Sequence, residues 1–381
     1  MKILYIANNI PLPKQKSNRI VLSIAEKLSP HCDISFVFPA AIVFPPFSFL
    51  KKYRPLNRLK PWTDGNFSIV PVRYIRLPGK RLSYLLMDSI HPEKYVDENA
   101  LPDLCHAHYI MPDGYIAYKI KQKYGIPYVV SVRGGDLRHI KTLHSKEIVF
   151  KKFIAVLENA DKIVVHNRPQ QEFVYRLGFE SVLIPHGIDS KMLNFCPKKN
   201  NTIVTVSVVA DHIRQKNIHW VIQAVKAYHN SQNIELLIAG DGTYKNELQK
   251  IAGNAANIRF FGKIPHKDVL EILEKSHIFA LPSVNETFGL VYLEAAANCC
   301  AVICHKNEGV DGVFDDDKEM VFCQGYDDFN ALLTGLIDNA EKREKMAEES
   351  FVRVRNNYTW EMITDRYLKT YNEIIIENKR T

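Results

Sequence analysis

The most informative part of the sequence reads Pro282-Ser-Val-Asn-Glu286-Thr-Phe-Gly289-Leu-Val-Tyr-Leu-Glu294-Ala-Ala-Ala297. The apolar run before it predicts a buried strand, and the run from Leu290 predicts a helix. The first amides of a helix have no partner within it and attract anions. Gly289 lets a ligand approach the backbone closely, and the two oxygens of Glu294 can accept hydrogen bonds from a vicinal diol such as a ribose.

Short apolar runs alternate with helical patterns on both sides of this segment. The first series of predicted strands is Lys2–Ala7, Ile34–Phe38, Leu104–Ala107, Tyr128–Val132, Lys162–Val165 and Val182–Ile184. The second series is Ile203–Val208, Ile234–Ala239, Ile258–Phe261, Ile278–Leu281, Ala301–Ile303 and Met320–Phe322. Such alternation is typical of doubly wound parallel sheets, and two series of about six strands predict two similar α/β domains. The polar, proline-containing stretch 185–201 predicts the linker between them.

The composition is that of an ordinary globular protein. The 381 residues are 46% hydrophobic and 24% charged, and a chain of this length is comfortable as two domains. The N-terminal apolar run is too short for a signal peptide and is interrupted by Asn8, Asn9 and Pro11. No uncharged run is long enough to span a bilayer. We therefore expect a cytoplasmic protein.

The cysteines and acidic runs do not favour a metal site. The seven cysteines include no Cys-x-x-Cys pair, so buried, reduced thiols are favoured over zinc ligands. The run Asp315-Asp-Asp317 fits a metal-binding Asp-x-Asp pattern superficially, but its polar surroundings favour a solvated turn. We expect no cofactor and no metal.

Positive charge is concentrated in the first half of the chain. Residues 1–190 carry 27 Lys or Arg against 16 Asp or Glu, whereas residues 191–381 carry 23 against 26. This asymmetry predicts that the first half faces an anionic partner: nucleic acid, anionic lipid or a phosphorylated acceptor. The sequence contains no recognised nucleic-acid-binding motif, so nucleic acid is not expected as a partner.

Residues 45–62 interleave aromatic side chains with basic ones and match neither a helix nor a strand pattern. The basic residues are Lys51, Lys52, Arg54, Arg58 and Lys60. Such a mixture suits weak peripheral contact with an anionic membrane surface, here the inner face of the membrane, because each basic residue near it contributes about 1 kcal/mol. The alternative is a solvated loop anchored by a few aromatic side chains.

Seven stretches, in order along essentially the whole chain, resemble glycosyltransferase family 4, a family of retaining enzymes with the GT-B fold. The segment containing Glu286 and Glu294 resembles the family's motif of two glutamates separated by seven residues. The other stretches are His106-Ala-His108-Tyr-Ile-Met-Pro112-Asp-Gly114, Gly125-Ile-Pro127-Tyr-Val-Val-Ser-Val-Arg133-Gly-Gly-Asp136, Pro185-His-Gly187-Ile-Asp189, Lys216-Asn217, Ala239-Gly240-Asp-Gly242 and Tyr358-Thr-Trp360-Glu.

The resemblance implies two Rossmann-like domains that face a central cleft. Residues 1–188 would form the acceptor-binding domain and residues 189–359 the donor-binding domain. Residues 360–381 would form a helix that crosses back to the first domain.

The resemblance also implies a role for each matching residue. Glu294 would hold the ribose hydroxyls, and Glu286 the hydroxyls of the donor sugar. Lys216 would neutralise the diphosphate, and His108 would contact the transferred sugar near the reacting carbon. The backbones of Phe288 and Gly289 would bind the sugar, and the amides of Leu290 and Val291 would face the diphosphate.

The chain departs from the family pattern at three places. The arginine that the family usually places five or six residues before its lysine is replaced by Ala210 or Asp211, so Arg214 is the substitute that we predict. The glycine pair expected after the first strand is replaced by residues 13–18, where Lys16 or Ser17 would reach the diphosphate. Arg133 stands where a histidine is common, and with Asp136 it is predicted to contact phosphate or acceptor.

Taken together, the residues and their resemblance to this family imply a retaining, metal-independent glycosyltransferase of the hexosyltransferase type. Its donor would be a nucleotide sugar, expected to be UDP-linked, and its acceptor a hydroxyl of a glycan or a lipid-linked glycan in cell-surface polysaccharide or glycolipid synthesis. Two alternatives stay open at this point. One is a nucleotide-sugar epimerase or a phosphorylase of the same fold, and the other is a non-catalytic protein that binds nucleotide sugars.

Overall fold

The computed structural model describes residues 1–13, 19–43, 56–77, 82, 84–144, 147–195, 198 and 202–379. The chain divides into two compact units. The first unit consists of Met1–His166, Gln170–Ile184 and Thr364–Thr381, and the second of Asn167–Pro169 and Pro185–Ile363. The boundaries predicted at 188 and 359 therefore differ from this division by four residues each, and the short piece Asn167–Pro169 was not expected in the second unit.

The first unit contains an eight-stranded sheet. In chain order the strands are β1 (Lys2–Ile6), β2 (Asp33–Ile42), β3 (Trp62–Asp64), β4 (Phe67–Ile75), β5 (Leu104–Ala107), β6 (Tyr128–Ser131), β7 (Lys162–Val165) and β8 (Val182–Leu183). Their order across the sheet is β3-β4-β2-β1-β5-β6-β7-β8. All neighbours are parallel except β3 and β4, which pair antiparallel.

Helices follow most strands of the first unit, as parallel connections require. They are α1 (Ile20–Leu28), α2 (Tyr115–Tyr124), α3 (Gly134–Ile140), α4 (Ile148–Glu158) and α5 (Arg168–Arg176), the last of which begins in the second unit. Strands β1, β5 and β6 are almost continuously apolar because both faces of the sheet are covered there.

The second unit contains a six-stranded, all-parallel sheet. Its strands are β9 (Val204–Val209), β10 (Ile234–Ala239), β11 (Ile258–Gly262), β12 (Ile278–Ala280), β13 (Ala301–His305) and β14 (Val321–Cys323). Their order is β11-β10-β9-β12-β13-β14. The helices are α6 (Ile218–Ala227), α7 (Lys245–Ala252), α8 (His266–Lys275), α9 (Leu290–Ala297), α10 (Tyr326–Asp338) and α11 (Ala340–Asn357). The predicted fold class of two doubly wound α/β domains is confirmed.

The final helix, α12 (Trp360–Asn378), begins in the second unit and belongs to the first unit from Thr364 onward. Its side chains Tyr367, Tyr371 and Ile374 are at most 1% exposed. They are therefore part of a packed core, although they follow the second unit in the sequence.

The structure differs from the sequence analysis at two places in the first unit. Strand β2 was expected to end at Phe38, but it continues through Pro39 to Ile42, because β4 pairs alongside it over that whole length. The strands β3 and β4 were not predicted; β4 is largely apolar, but Pro71 interrupts its sequence. Residues 45–55 of the aromatic and basic segment lie outside the described residues.

The six described cysteines are buried and not in disulfides. Cys196 lies outside the described residues. Within the described ranges, no helix combines the length and apolarity that crossing a bilayer would require.

Candidate functional site

The loop between β12 and α9 lies at the carboxyl edge of the second unit's sheet, where ligands bind in open α/β folds. Gly289 precedes α9 with φ = 79°, a left-handed conformation that favours glycine. A Cβ at this position would lie 2.5 Å from the ring of Tyr292. No side chain caps the helix start, so the first amides of α9 remain suited to an anion.

Lys216 and Glu286 form an ion pair in the second unit. The distance between Lys216 Nζ and Glu286 Oε2 is 2.5 Å, and the two side chains are 21% and 15% exposed. Ser283 Oγ donates a longer bond of 3.3 Å to the same carboxylate oxygen. The lysine and the first glutamate of the motif, which are 70 residues apart in sequence, are thus brought together.

The turn that carries Lys216 is bound directly to the loop that carries Glu286. Asn217 adopts φ = 49° at the start of α6, and its Nδ2 donates to the carbonyl oxygen of Pro282 at 2.9 Å. The amide of Val284 donates to the carbonyl oxygen of Gln215 at 2.9 Å. These two hydrogen bonds hold the two loops together, and the loops in turn fix the distance between the Lys216 and Glu286 side chains.

Three further residues hold the backbone around Glu286. Glu308 Oε2 accepts from the amide of Glu286 at 2.9 Å, and the amide of Gly309 donates back to the Glu286 carbonyl at 3.3 Å. Asn167 Nδ2 donates to the carbonyl oxygens of Thr287 and Gly309 at 2.7 and 2.8 Å. Asn167 therefore fastens the motif loop to the neighbouring loop, which explains why it belongs to the second unit.

Glu294 is 13% exposed and pairs with a histidine that was not predicted. The distance between His266 Nε2 and Glu294 Oε1 is 3.0 Å, and the His266 side chain is 53% exposed. The hydrogen bond to Glu294 raises the pKa of His266 above its usual value. The carboxylate proposed for a ribose is therefore near the surface and already in contact with a polar partner.

The structure also describes the remaining predicted donor residues of the second unit. Phe288 is buried, and its ring lies 5.1 Å from that of His186, so its backbone rather than its side chain is the part suited to a ligand. Arg214 is exposed in the same turn as Lys216. Its charge adds to burial in lowering the pKa of His219. Leu290 and Val291 are the first two residues of α9.

In the first unit, His108 directly follows β5 and is completely buried. Its ring stacks on that of His106, with centroids 4.1 Å apart and planes 29° apart. The ring of Tyr5 lies 4.6 Å from it on β1. His108 is thus enclosed by aromatic rings of two adjacent strands.

Arg133 is 4% exposed and bonds to His108 rather than to solvent. Its Nε donates to the carbonyl oxygen of His108 at 2.9 Å, and its NH2 nitrogen lies 3.4 Å from His108 Nδ1. Asp136 accepts from the amides of Arg133 and Ile110 at 3.0 and 3.1 Å. Burial raises the pKa of Asp136 to about 7. The phosphate or acceptor contact expected for Arg133 and Asp136 stays a prediction.

The final helix supports the histidine pair from within the first unit. His106 Nδ1 lies 2.7 Å from the hydroxyl of Tyr371, and its Nε2 lies 2.8 Å from Ser131 Oγ. Tyr371 also shares a 3.0 Å hydrogen bond with Tyr5. Burial, followed by the nearby Arg133 cation, lowers the pKa of His106 well below its usual value. His106 is therefore a neutral ring held at both nitrogens.

Two predicted phosphate contacts, Lys16 and Ser17, lie outside the described residues. Among the residues that the structure does describe, no cluster of three His, Cys, Asp or Glu side chains could hold a metal ion. Asp317 of the acidic run pairs with Lys342 at 2.6 Å. Independence from metal stays a prediction.

Taken alone, the second unit combines a lysine, two carboxylates and a helix start at one edge of its sheet. This set can neutralise a phosphate and accept hydrogen bonds from sugar hydroxyls. Sequence reasoning missed Asn167, His266 and Glu308, which orient these groups. Asn167 had one usable signal, because it follows the buried strand β7 within two residues, at the edge where sites form.

Comparison with known proteins divides the chain into two matched regions. Residues 42–191 match the family described as Glycosyltransferase Family 4, and residues 194–353 match Glycosyl transferases group 1. The two regions together span most of the chain.

Curated relatives include glycosyltransferases that are named for several acceptors. The putative teichuronic acid biosynthesis glycosyltransferase TuaC of Bacillus subtilis is 24% identical over 344 residues, covering 84% of this chain and 85% of that protein. A GDP-mannose-dependent mannosyltransferase of Corynebacterium glutamicum, named for monoacylated phosphatidylinositol monomannoside, is 29% identical over 141 residues. That match covers 35% of this chain and 37% of the relative.

Solved structures show the same fold at low sequence identity. Sucrose-phosphate synthase from Thermosynechococcus elongatus superposes with a TM-score of 0.70 at 16% identity, covering 99% of both chains. HepE of Anabaena, solved in complex with UDP and glucose, has a TM-score of 0.66 at 14% identity, covering 98% of this chain and all of the other.

Proposed function

The chain belongs to glycosyltransferase family 4 and has the GT-B fold, and on that basis we propose that it transfers a sugar from a nucleotide-sugar donor to a hydroxyl of a glycan or lipid-linked glycan. The single observation that carries this proposal is the 2.5 Å pair between Lys216 and Glu286 beside the start of α9. A fixed cation and free helix amides are the groups that departure of a nucleoside diphosphate requires.

Lys216 acts on the leaving group. When the bond between the anomeric carbon and the diphosphate oxygen breaks, negative charge grows on that oxygen. A cation about 4 Å away stabilises a unit charge by roughly 4 kcal/mol at an effective dielectric of ~20, before desolvation is subtracted. The ion pair keeps this cation in place before the donor binds. The amides of Leu290 and Val291 add the partial positive charge of the helix start.

The two glutamates recognise the neutral parts of the donor. Glu294 accepts hydrogen bonds from the ribose hydroxyls, and Glu286 accepts them from the hydroxyls of the sugar. Both side chains are less than 16% exposed, so each hydrogen bond forms where competition from water is reduced. Phe288 and Gly289 present backbone groups to the same sugar.

We propose that the transfer retains the configuration of the anomeric carbon. The acceptor hydroxyl attacks on the face from which the diphosphate leaves, a new carbon–oxygen bond forms there, and the acceptor's proton passes to the leaving phosphate oxygen. The products are the glycosylated acceptor and the free nucleoside diphosphate. Membership of a retaining family supports this proposal, in which no carboxylate serves as a nucleophile.

A UDP-linked donor and an envelope glycan or glycolipid acceptor are the finer parts of the proposal. The complexes of HepE with UDP and with UDP-glucose support the base. The names of the Bacillus and Corynebacterium relatives support an acceptor among surface polysaccharides and glycolipids. We further propose that the reaction needs no metal: turnover should persist in EDTA, and its abolition with recovery on adding Mn²⁺ or Mg²⁺ would contradict this.

The function is tested in two steps: titration calorimetry of the protein with UDP-, GDP- and ADP-linked sugars, and then measurement of nucleoside diphosphate release with and without an acceptor. Binding of one nucleotide sugar, followed by release of its nucleoside diphosphate only when a hydroxyl acceptor is present, is the expected result. Binding with no turnover for any glycan or glycolipid acceptor would favour a sugar-binding protein. Release of the diphosphate at equal rates with and without acceptor would contradict transfer.

Glu294→Gln should weaken binding of both the nucleotide sugar and the free nucleotide by ~1–3 kcal/mol, because a charged acceptor of two hydrogen bonds is lost. Glu271→Gln is the matched control, since Glu271 lies on α8, is half exposed and pairs only loosely with Lys267 at 3.9 Å. Unchanged nucleotide affinity in a folded Glu294→Gln protein would remove Glu294 from the donor site.

A further inference from the structure

The contacts between Arg133 and His108 determine where the imidazole carries its hydrogen. One guanidinium nitrogen donates to the carbonyl oxygen of His108 at 2.9 Å, and another lies 3.4 Å from Nδ1 of the same residue. A guanidinium has only donors. Nδ1 must therefore accept, and in a neutral imidazole the hydrogen then resides on Nε2.

The Arg133 side chain is held in place by its neighbours, so its contact with His108 Nδ1 is a stable feature of the fold. Arg133 is 4% exposed, its amide donates to Asp136 at 3.0 Å, and its guanidinium lies over the ring of Tyr109. A Cβ on Gly135 would come within 3.0 Å of that ring, so the loop is closely packed.

The orientation of the His108 ring is also held by a stacked neighbouring ring. His106 stacks on it at 4.1 Å and is held at both of its own nitrogens by Tyr371 and Ser131. The titratable and charged groups around this region include Tyr5 on β1, His106 on β5, Tyr109, Asp113, Arg133, Asp136, His166 after β7, and Tyr367 and Tyr371 on α12. Arg133 is the cation of this set.

We propose that Arg133 is a positioning residue that fixes His108 as a neutral imidazole with its hydrogen on Nε2, so that His108 recognises its ligand as a hydrogen-bond donor. The role of that hydrogen in contacting the transferred sugar rests on the proposed function. The tautomer itself does not, because it follows from contacts within the first unit. A ligand atom that His108 binds through Nε2 must then be an acceptor, such as a hydroxyl oxygen.

The tautomer is read directly from long-range ¹H–¹⁵N correlation spectra of the full protein labelled with ¹⁵N-histidine, without any substrate. The His108 signals are assigned by their loss in His108→Gln. At neutral pH the expected pattern is a pyridine-type Nδ1 and a pyrrole-type Nε2. A pyrrole-type Nδ1, or two equivalent protonated nitrogens, would overturn the proposal.

Arg133→Gln removes the obligatory donor and should let both tautomers appear. Arg138→Gln is the matched control, since it removes an exposed arginine from α3, the helix that Arg133 precedes, and should leave the His108 pattern unchanged. An unchanged pattern in a folded Arg133→Gln protein would show that Arg133 does not set the tautomer. If that variant does not fold, Arg133→Met takes its place, and the wild-type spectrum still decides the tautomer.

Activity distinguishes the two nitrogens. A glutamine amide can place an N–H near the position of Nε2, whereas an asparagine amide reaches only the position of Nδ1. We expect His108→Gln to turn over on the order of tenfold faster than His108→Asn, the effect of one hydrogen bond. The reverse order would contradict donation through Nε2. Full turnover in both variants, with the expected spectrum, would refute the proposed sugar contact and leave the tautomer intact.

Discussion

Lys216 and Glu286 neutralise one another before any ligand is present. A bound donor replaces part of this ion pair with new contacts to each side chain. The diphosphate offers Lys216 a second anion while the sugar hydroxyls offer Glu286 hydrogen-bond donors. Because leaving-group charge grows during the reaction, the lysine contributes most in the transition state. The ion pair therefore holds Lys216 in place before the negative charge develops on the leaving diphosphate.

Lys216→Ala should lower kcat by roughly 10²–10³, the usual effect of losing one preorganised charge-stabilising group. The change is measured as release of nucleoside diphosphate at saturating donor. Lys245→Ala provides the control, since Lys245 also pairs with a carboxylate in the second unit, Asp241 at 3.2 Å. A small change in kcat for a folded Lys216→Ala protein would transfer the role to Arg214, Arg133 or Lys16.

The pair of His266 and Glu294 should make donor affinity depend on pH. The bond to Glu294 raises the pKa of His266 in the free protein, and a ribose diol that takes both carboxylate oxygens would break that bond. Binding then releases a proton, so affinity should rise as the pH increases through the region just above 6.5 and level off once His266 is neutral. The change should be only a few-fold, since His266 is half exposed.

The measurement is calorimetry of the nucleotide sugar between pH 6 and 9, in buffers of different ionisation enthalpy. In His266→Asn the pH dependence and the proton release should both disappear. Proton uptake on binding, or the same pH dependence in the variant, would mean that His266 does not compete with the ribose.

Residues within the quoted motifs could be singled out from the sequence, whereas the residues that hold those motifs in place could not. Glu286 and Glu294 belong to one contiguous pattern, so both could be singled out from the sequence. Glu308 holds the amide of Glu286 from 22 residues away, and Asn167 reaches the same loop across 120 residues. Such contacts arise because the sheet brings distant loops together, and the hydrophobic periodicity of a single segment does not predict them.

The start of α9 depends on the backbone conformation of one residue in the loop before it, Gly289. Gly289 has φ = 79°, and an added Cβ would lie within 2.7 Å of two atoms of the buried Tyr292 ring. Tyr292 cannot retreat, since its hydroxyl donates to the carbonyl of Leu281 at 2.9 Å. The helix start is therefore compatible with glycine and with little else.

Gly289→Ala should lower the free energy of unfolding by about 1–3 kcal/mol, because strain and overlap act together. The matched control is Gly335→Ala in α10, where an added Cβ meets nothing within 4 Å and should stabilise the protein by roughly 0.5–1 kcal/mol. Urea unfolding followed by circular dichroism measures both. Equal stabilities of the two variants would show that the loop relaxes around the new methyl group.

Element types were predicted well where β-branched and aromatic residues recur in a short run between helical patterns. The strands of the second unit were all expected, although β9 alternates valine with polar residues and β11 is only partly buried. Strand β4 contains Pro71, and β2 was cut short at Pro39. Pro39 pairs with Val72 of β4 and lies beyond Val37, where the pairing of β2 with β1 ends, so its missing N–H leaves no bond to β1 unmade.

The uneven charge of the whole molecule predicts where a membrane would be met. If the acceptor is lipid-linked, the positive first half and the basic residues between 45 and 62 should give weak binding to anionic vesicles. Binding should fade as salt shortens the Debye length to ~8–10 Å and below. Co-sedimentation with anionic and neutral vesicles measures it, for wild type and for Lys51→Glu, Lys52→Glu and Arg54→Glu combined.

The two proteins should differ only on anionic vesicles at low salt. Identical sedimentation would favour the alternative of a solvated loop and, with it, a soluble acceptor. Equal binding of wild type to anionic and neutral vesicles would show that charge is not the cause.

The route of α12 through the molecule has a consequence for synthesis on the ribosome. Tyr367, Tyr371 and Ile374 are buried in the first unit, and Tyr371 bonds to His106 across 265 residues. At ~5–20 residues per second, the intervening stretch 185–363 takes roughly 10–40 s to translate. The first unit is translated first but lacks α12 until translation is nearly finished. All strands of the second unit have been made by then. The order of maturation therefore runs opposite to the order of translation, and the nascent first unit is the species that a chaperone would meet.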